Sequence, residues 1–99
     1  MFTSSSSYAY SVVGGYKCGQ ILAYDRDNHR GLRNHTISWF KGYLTALNSE
    51  NAAFDEGNDV SNVPDDDSIY YYLVNYCRNN PLKDIVDASD ALYLKLRGY

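Results

Sequence analysis

Apolar residues recurring at intervals of three and four, capping residues where those runs begin, and one pair of cysteines enclosing most of a 99-residue chain predict an all-α fold. The expected architecture is a compact four-helix domain with one disulfide, Cys18–Cys77, and a long acidic loop. Two cysteines in a domain this small read as a structural disulfide, which implies an oxidising compartment. Closing a loop of that length stabilises the fold by roughly 4 kcal/mol in the chain-entropy model. The alternative reading is two reduced, buried cysteines that behave as small hydrophobes. The length allows one domain with a modest core.

Residues 1–15 are Ser- and Tyr-rich, lack a helical period and end in Gly14-Gly15, so they read as a flexible leader to a single helical domain over 16–99. A docked arm built on Tyr8, Tyr10, Val12 and Val13 is the other reading. From Tyr16 to Tyr24 the spacing of Cys18, Ile21 and Leu22 fits a short helix, followed by a polar connection over Asp25 to Gly31. Asn34 caps the expected second helix, whose stripe is Ile37, Phe40, Leu44 and Leu47, widened by Trp39, Tyr43 and Ala46. Gly42 within it implies a close approach by a neighbour. Residues 48–67 read as a surface loop anchored by Phe54, Val60 and Val63. Asp65, Asp66, Asp67 and Ser68 supply a cap and negative charge for the third helix, which carries Ile69, Tyr72, Leu73, Tyr76 and Cys77 and stops near Asn79-Asn80. Pro81 fits the first turn of the fourth helix, with Leu82, Ile85, Val86, Ser89, Leu92, Tyr93 and Leu96 inward and Arg97-Gly98 closing it.

A net charge of −3 and a pI near 5.1 argue against nucleic-acid binding, which needs a basic face to neutralise phosphates. No stretch is long and apolar enough to span a membrane. Met1-Phe2 leads into serines rather than a basic and then apolar signal, so an exported protein would be present here in its mature form. Eleven tyrosines against three phenylalanines point to rings at a core rim or contact surface, which is compatible with a binding protein.

The run Val74-Asn75-Tyr76-Cys77-Arg78-Asn79-Asn80-Pro81 leads from one amphipathic helix into another. With Cys18 opening the first helix and Trp39 on the helix between the cysteines, it resembles the small periplasmic acid-stress chaperones of the HdeA/HdeB family, the HdeB branch most closely. The likeness covers about residues 16–97 and is most specific at the two cysteines and around Pro81. The Tyr70-Tyr71-Tyr72 run, the acidic loop and the Ser/Tyr-rich leader lie outside that family's pattern, and its lysine-rich tail is missing here. The resemblance implies a compact all-α domain with its cysteines bonded, located in the periplasm. It also implies an acid-activated, ATP-independent holdase without cofactor.

In that role the carboxylates sense pH. Full protonation takes the chain from −3 to about +11, the sum of its 9 Lys and Arg and 2 His. Self-repulsion then loosens the domain or separates a homodimer, exposing apolar surface to protein clients. Trp39, Phe40, Tyr43, Leu44 and Leu73 are the candidate client- or partner-binding residues. Asp55, Glu56, Asp59, Asp65, Asp66 and Asp67 are the candidate pH-sensing or partner-docking acids, with a solvated loop as the plain reading. Arg26, Arg30 and Arg33 with His29 and His35 form a basic patch that could take an anion, or serve as a solvated turn. The second functional reading is an immunity or inhibitor protein that binds a toxin or secreted enzyme at neutral pH through the acidic loop and tyrosines. No catalytic residues are assigned, because a bonded cysteine cannot attack and no triad context accompanies the histidines. Neither the spacing of His29 and His35 nor that of the acidic loop supplies a metal ligand set.

Overall fold

The computed structural model describes residues 12–54 and 59–98. These form four helices, α1 (Cys18–Arg26), α2 (Arg30–Phe54), α3 (Asp66–Asn79) and α4 (Ile85–Leu96), with no strand among them. The fold is therefore all-α, and the Cys18–Cys77 disulfide is formed, its Cα atoms 4.9 Å apart. That bond sets the register of an antiparallel pair. Two helical turns beyond Cys18 on α1 lies Asp25, and two turns before Cys77 on α3 lies Tyr70, whose hydroxyl donates to Asp25 Oδ1 at 2.8 Å. Between these ends Ile21, Leu73 and Val74 are buried.

Several boundaries differ from the sequence expectation. The second helix starts at Arg30 rather than behind Asn34, with His29 as its cap: Nδ1 accepts the Leu32 N–H at 3.2 Å and the carbonyl accepts that of Arg33. The first turn carries no core-facing run, since the buried stripe begins at Thr36-Ile37, so apolar spacing cannot reveal it. The preceding connection is tight because Asn28 adopts φ 56°, a conformation asparagine tolerates. At its other end α2 continues through residues 48–54, which apolar periodicity assigned to the loop. Here amides replace aliphatic side chains on the inner stripe. Asn48 pairs with both the N–H and the C=O of Val60, at 2.8 and 2.9 Å, and Asn51 donates to the Tyr93 hydroxyl at 2.6 Å. Val60 is buried and Val63 packs on the core, so both valines pin the extended segment as expected. The Phe54 side chain, Asp55 and Glu56 lie outside the described residues.

Asp65 caps α3, accepting the Ser68 N–H, and the helix ends at Asn79. Pro81 does not open α4. It sits in a turn closed by Lys83 N–H donating to Asn80 C=O, and Asp84 caps α4 by accepting the Val86 and Asp87 N–H groups. The reason is a short antiparallel clasp across the bridge between Lys17 and Asp84. Cys18 N–H donates to Lys83 C=O at 2.9 Å and Ile85 N–H to Tyr16 C=O at 3.0 Å, which holds Asp84 extended and delays the helix to Ile85. Leu82, expected on the inward face of α4, is consequently 99% exposed. Arg97 and Gly98, with φ 94°, end α4 as the sequence indicates.

Phe40, Ile69, Leu73, Val74 and Ile85 fill the centre of the core. Gly42 faces open space, so the close approach inferred there does not occur. Gly15 meets that need instead: a Cβ there would lie 2.6 Å from Ile85 Cγ2 and 3.2 Å from Trp39. Residues Val12 to Gly15 run against α2, where Trp39 Nε1 donates to Val13 C=O at 3.0 Å and His35 Nε2 donates to Gly14 C=O. Tyr8 and Tyr10 lie outside the described residues.

Candidate functional site

The five candidate client-binding residues divide into two layers. Phe40, Leu44 and Leu73 are buried, at 0%, 4% and 0% exposure, and belong to the core. Trp39 and Tyr43 are half-buried in front of them, one helical turn apart, and stack with centroids 5.2 Å apart at 19°. The Tyr43 hydroxyl donates to Asp90 Oδ1 at 2.7 Å, tying α2 to α4. This stripe is thus buried at Phe40, Leu44 and Leu73 and half-exposed at Trp39 and Tyr43. Leu44 alone among the five borders a surface groove, of about 450 Å³, between α2 and the Val60 to Pro64 segment.

Aspartates also tie the helices to one another. Every ion pair among the described residues joins two different helices and ends on an aspartate: Arg33 with Asp67, Lys41 with Asp66 at 2.6 Å, and Arg78 with Asp25 at 3.3 Å. Of the acids singled out from sequence, Asp66 and Asp67 thus hold α3 to α2, Asp65 caps α3, and Asp59 is exposed. The Ser68 side chain and backbone N–H hold the Asp65 carboxyl below its usual range. Burial pushes the Asp87 carboxyl up, the Asp84 backbone N–H pulls it back, and the negative charge of Asp84 raises it again.

Sequence reasoning missed four carboxylates that make tertiary or capping contacts: Asp25, Asp84, Asp87 and Asp90. Each stands apart from the acidic run, so charge clustering does not mark it. One signal was present for Asp25. Once Cys18 is bonded to Cys77, equal steps along two antiparallel helices bring Asp25 opposite Tyr70.

The basic patch is brought together only in part. His29, Arg30 and Arg33 line a cavity of about 420 Å³ between the α1–α2 turn and α3, with Asp25, Asn28, Asn34, Tyr70 and Tyr71. Arg26 lies outside it, and His35 is engaged with Gly14. The Arg33 guanidinium lies 4.8 Å from the Tyr70 ring centroid and 5.9 Å from that of Tyr71. Among the described residues, no group of three or more His, Cys, Asp or Glu side chains is placed to hold a metal ion.

Fold and site together define a small all-α domain in which one disulfide and a set of aspartate contacts close four helices over an aromatic stripe. No helix among the described residues is long and apolar enough to cross a membrane, and the disulfide is compatible with an extracytoplasmic location. No protein-family model matches the chain, and no match was found among curated proteins or solved structures.

Proposed function

We propose that this protein is an acid-activated, ATP-independent holdase of the bacterial periplasm, of the kind the HdeA/HdeB resemblance implies. The observation that supports this reading is the division of labour among the contacts between helices. The described ion pairs all depend on ionised aspartates, whereas the Cys18–Cys77 bond does not respond to pH. An exposed pair of this kind contributes no more than about 1 kcal/mol, so no single aspartate is the switch. Loss of all three pairs, together with the change from −3 to about +11, opposes the compact state collectively. Loosening α3 and α4 from α2 uncovers Trp39, Phe40, Tyr43 and Leu44, and the bonded cysteines limit how far the chain expands. The apolar stripe then takes up clients that unfold in the same acid.

Light scattering from an acid-labile client brought to about pH 2–3, with and without this protein, tests the proposal. Suppression of aggregation at low pH and none at pH 7 is the expected result. Equal scattering in both samples ends it, and a stable complex with a toxin or secreted enzyme at pH 7 would place the protein among neutral-pH immunity or inhibitor proteins instead.

A further inference from the structure

We propose that the cavity between the α1–α2 turn and α3 is a binding site for an oxyanion, a carboxylate or phosphate group carried on a small organic body. Binding there at pH 7 does not require the acid-opened state. Several of its polar groups are already committed to partners within the fold. Asp25 is the one acid in the lining, and both its oxygens are taken, Oδ1 by the Tyr70 hydroxyl at 2.8 Å and Oδ2 by Arg78 at 3.3 Å. Arg33 is occupied by Asp67 and by the Tyr70 face. Arg30 differs: its guanidinium makes no hydrogen bond or ion pair with any described residue while lining the cavity.

The histidine adds a donor of fixed orientation. His29 Nδ1 accepts the Leu32 N–H, so the neutral ring carries its proton on Nε2. The side-chain amide of Asn34 likewise has no partner among the described residues. What the cavity offers a ligand is therefore a guanidinium, an imidazole N–H and an amide, with its carboxylate already neutralised. Such a set selects an anion and rejects a cation, and arginine's planar fork suits the two oxygens of a carboxylate or phosphate. At about 420 Å³ the space exceeds a bare ion, and the half-exposed Tyr71 ring provides a flat wall for an attached body. Because the chain as a whole carries −3, diffuse attraction cannot account for anion binding here.

The test is a titration of the whole oxidised protein at pH 7, followed by amide chemical shifts. Three probes are used: inorganic phosphate, an acetylated tripeptide with a free C-terminal carboxylate, and the same tripeptide as its amide. Saturable shifts confined to residues 28–34 and 70–71 are expected with phosphate or the carboxylate peptide, and none with the amide. Which of the two binds identifies the source of the oxyanion as a free anion or a polypeptide end. Arg30→Gln should weaken binding about tenfold, the scale of one charge-assisted hydrogen bond. Arg26→Gln removes the same charge from an exposed position outside the cavity and should leave binding unchanged. Equal weakening by the two variants would overturn the proposal in favour of diffuse surface charge, and linear, unsaturated shifts with both oxyanions would overturn it outright.

Discussion

Tyr70 and Asp25 close the far end of the α1–α3 contact, and the cost of separating them falls on the tyrosine. Tyr70 is 5% exposed, and its phenol is pushed up to about 12, first by burial and then by the hydrogen bond and charge of Asp25. Its folded value lies above its unfolded one, so its contribution to stability is complete below about pH 10 and disappears as the pH rises towards 12. Asp25→Ala leaves the hydroxyl without its acceptor. We expect a loss of about 1–3 kcal/mol in urea unfolding at pH 7 and a phenol that ionises closer to 10 in an ultraviolet titration. Ser89 presents the opposite case. It is fully buried, and its Oγ has no hydrogen-bond partner among the described residues, so Ser89→Ala should leave stability unchanged or raise it by about 1 kcal/mol in the same measurement. The sequence placed Ser89 on the inner face of α4 from spacing alone. It could not show that the hydroxyl goes unpaired, because that depends on every neighbour at once.

Helix existence and order were legible where apolar spacing and cap chemistry coincide. The third helix shows this best, with Asp65 capping it and Ile69, Leu73 and Cys77 recurring at four-residue steps. Its cap also has a pH sign. The Asp65 carboxyl is held below its unfolded value of 3.8, so its contribution is present above that pH and is lost as the pH falls through the lower, folded value. Asp65→Ala should therefore destabilise the protein at pH 7 in chemical denaturation, with the difference from the parent closing below about pH 4. Asp87 works the other way. Its raised folded value means that protonation of this carboxyl on acidification favours the folded state. The elements that escaped sequence reading are those built by tertiary partners. The last turns of α2 rest on Asn48 and Asn51, whose amides find Val60 and Tyr93, and the delayed start of α4 rests on the clasp with Tyr16 and Cys18. Neither partner is local, so neither leaves a periodic trace.

At the scale of the whole molecule the two kinds of closure are separable by experiment. The bond between Cys18 and Cys77 spans a separation of 59 residues, and its removal in a Cys18→Ala/Cys77→Ala variant should cost about 4 kcal/mol at pH 7. The aspartate contacts make the other closure, and acid removes them while the bond stays. The single tryptophan reports on this directly, because Trp39 is half-buried against Tyr43 and bonded to the Val13 carbonyl, on the stripe that the proposed holdase would open. The decisive measurement follows Trp39 emission and far-ultraviolet circular dichroism of the oxidised protein together as the pH is lowered from 7 to about 2. A reversible red shift of the emission with most of the helix retained is the predicted result. Emission that stays at its neutral-pH position down to pH 2 would contradict the account.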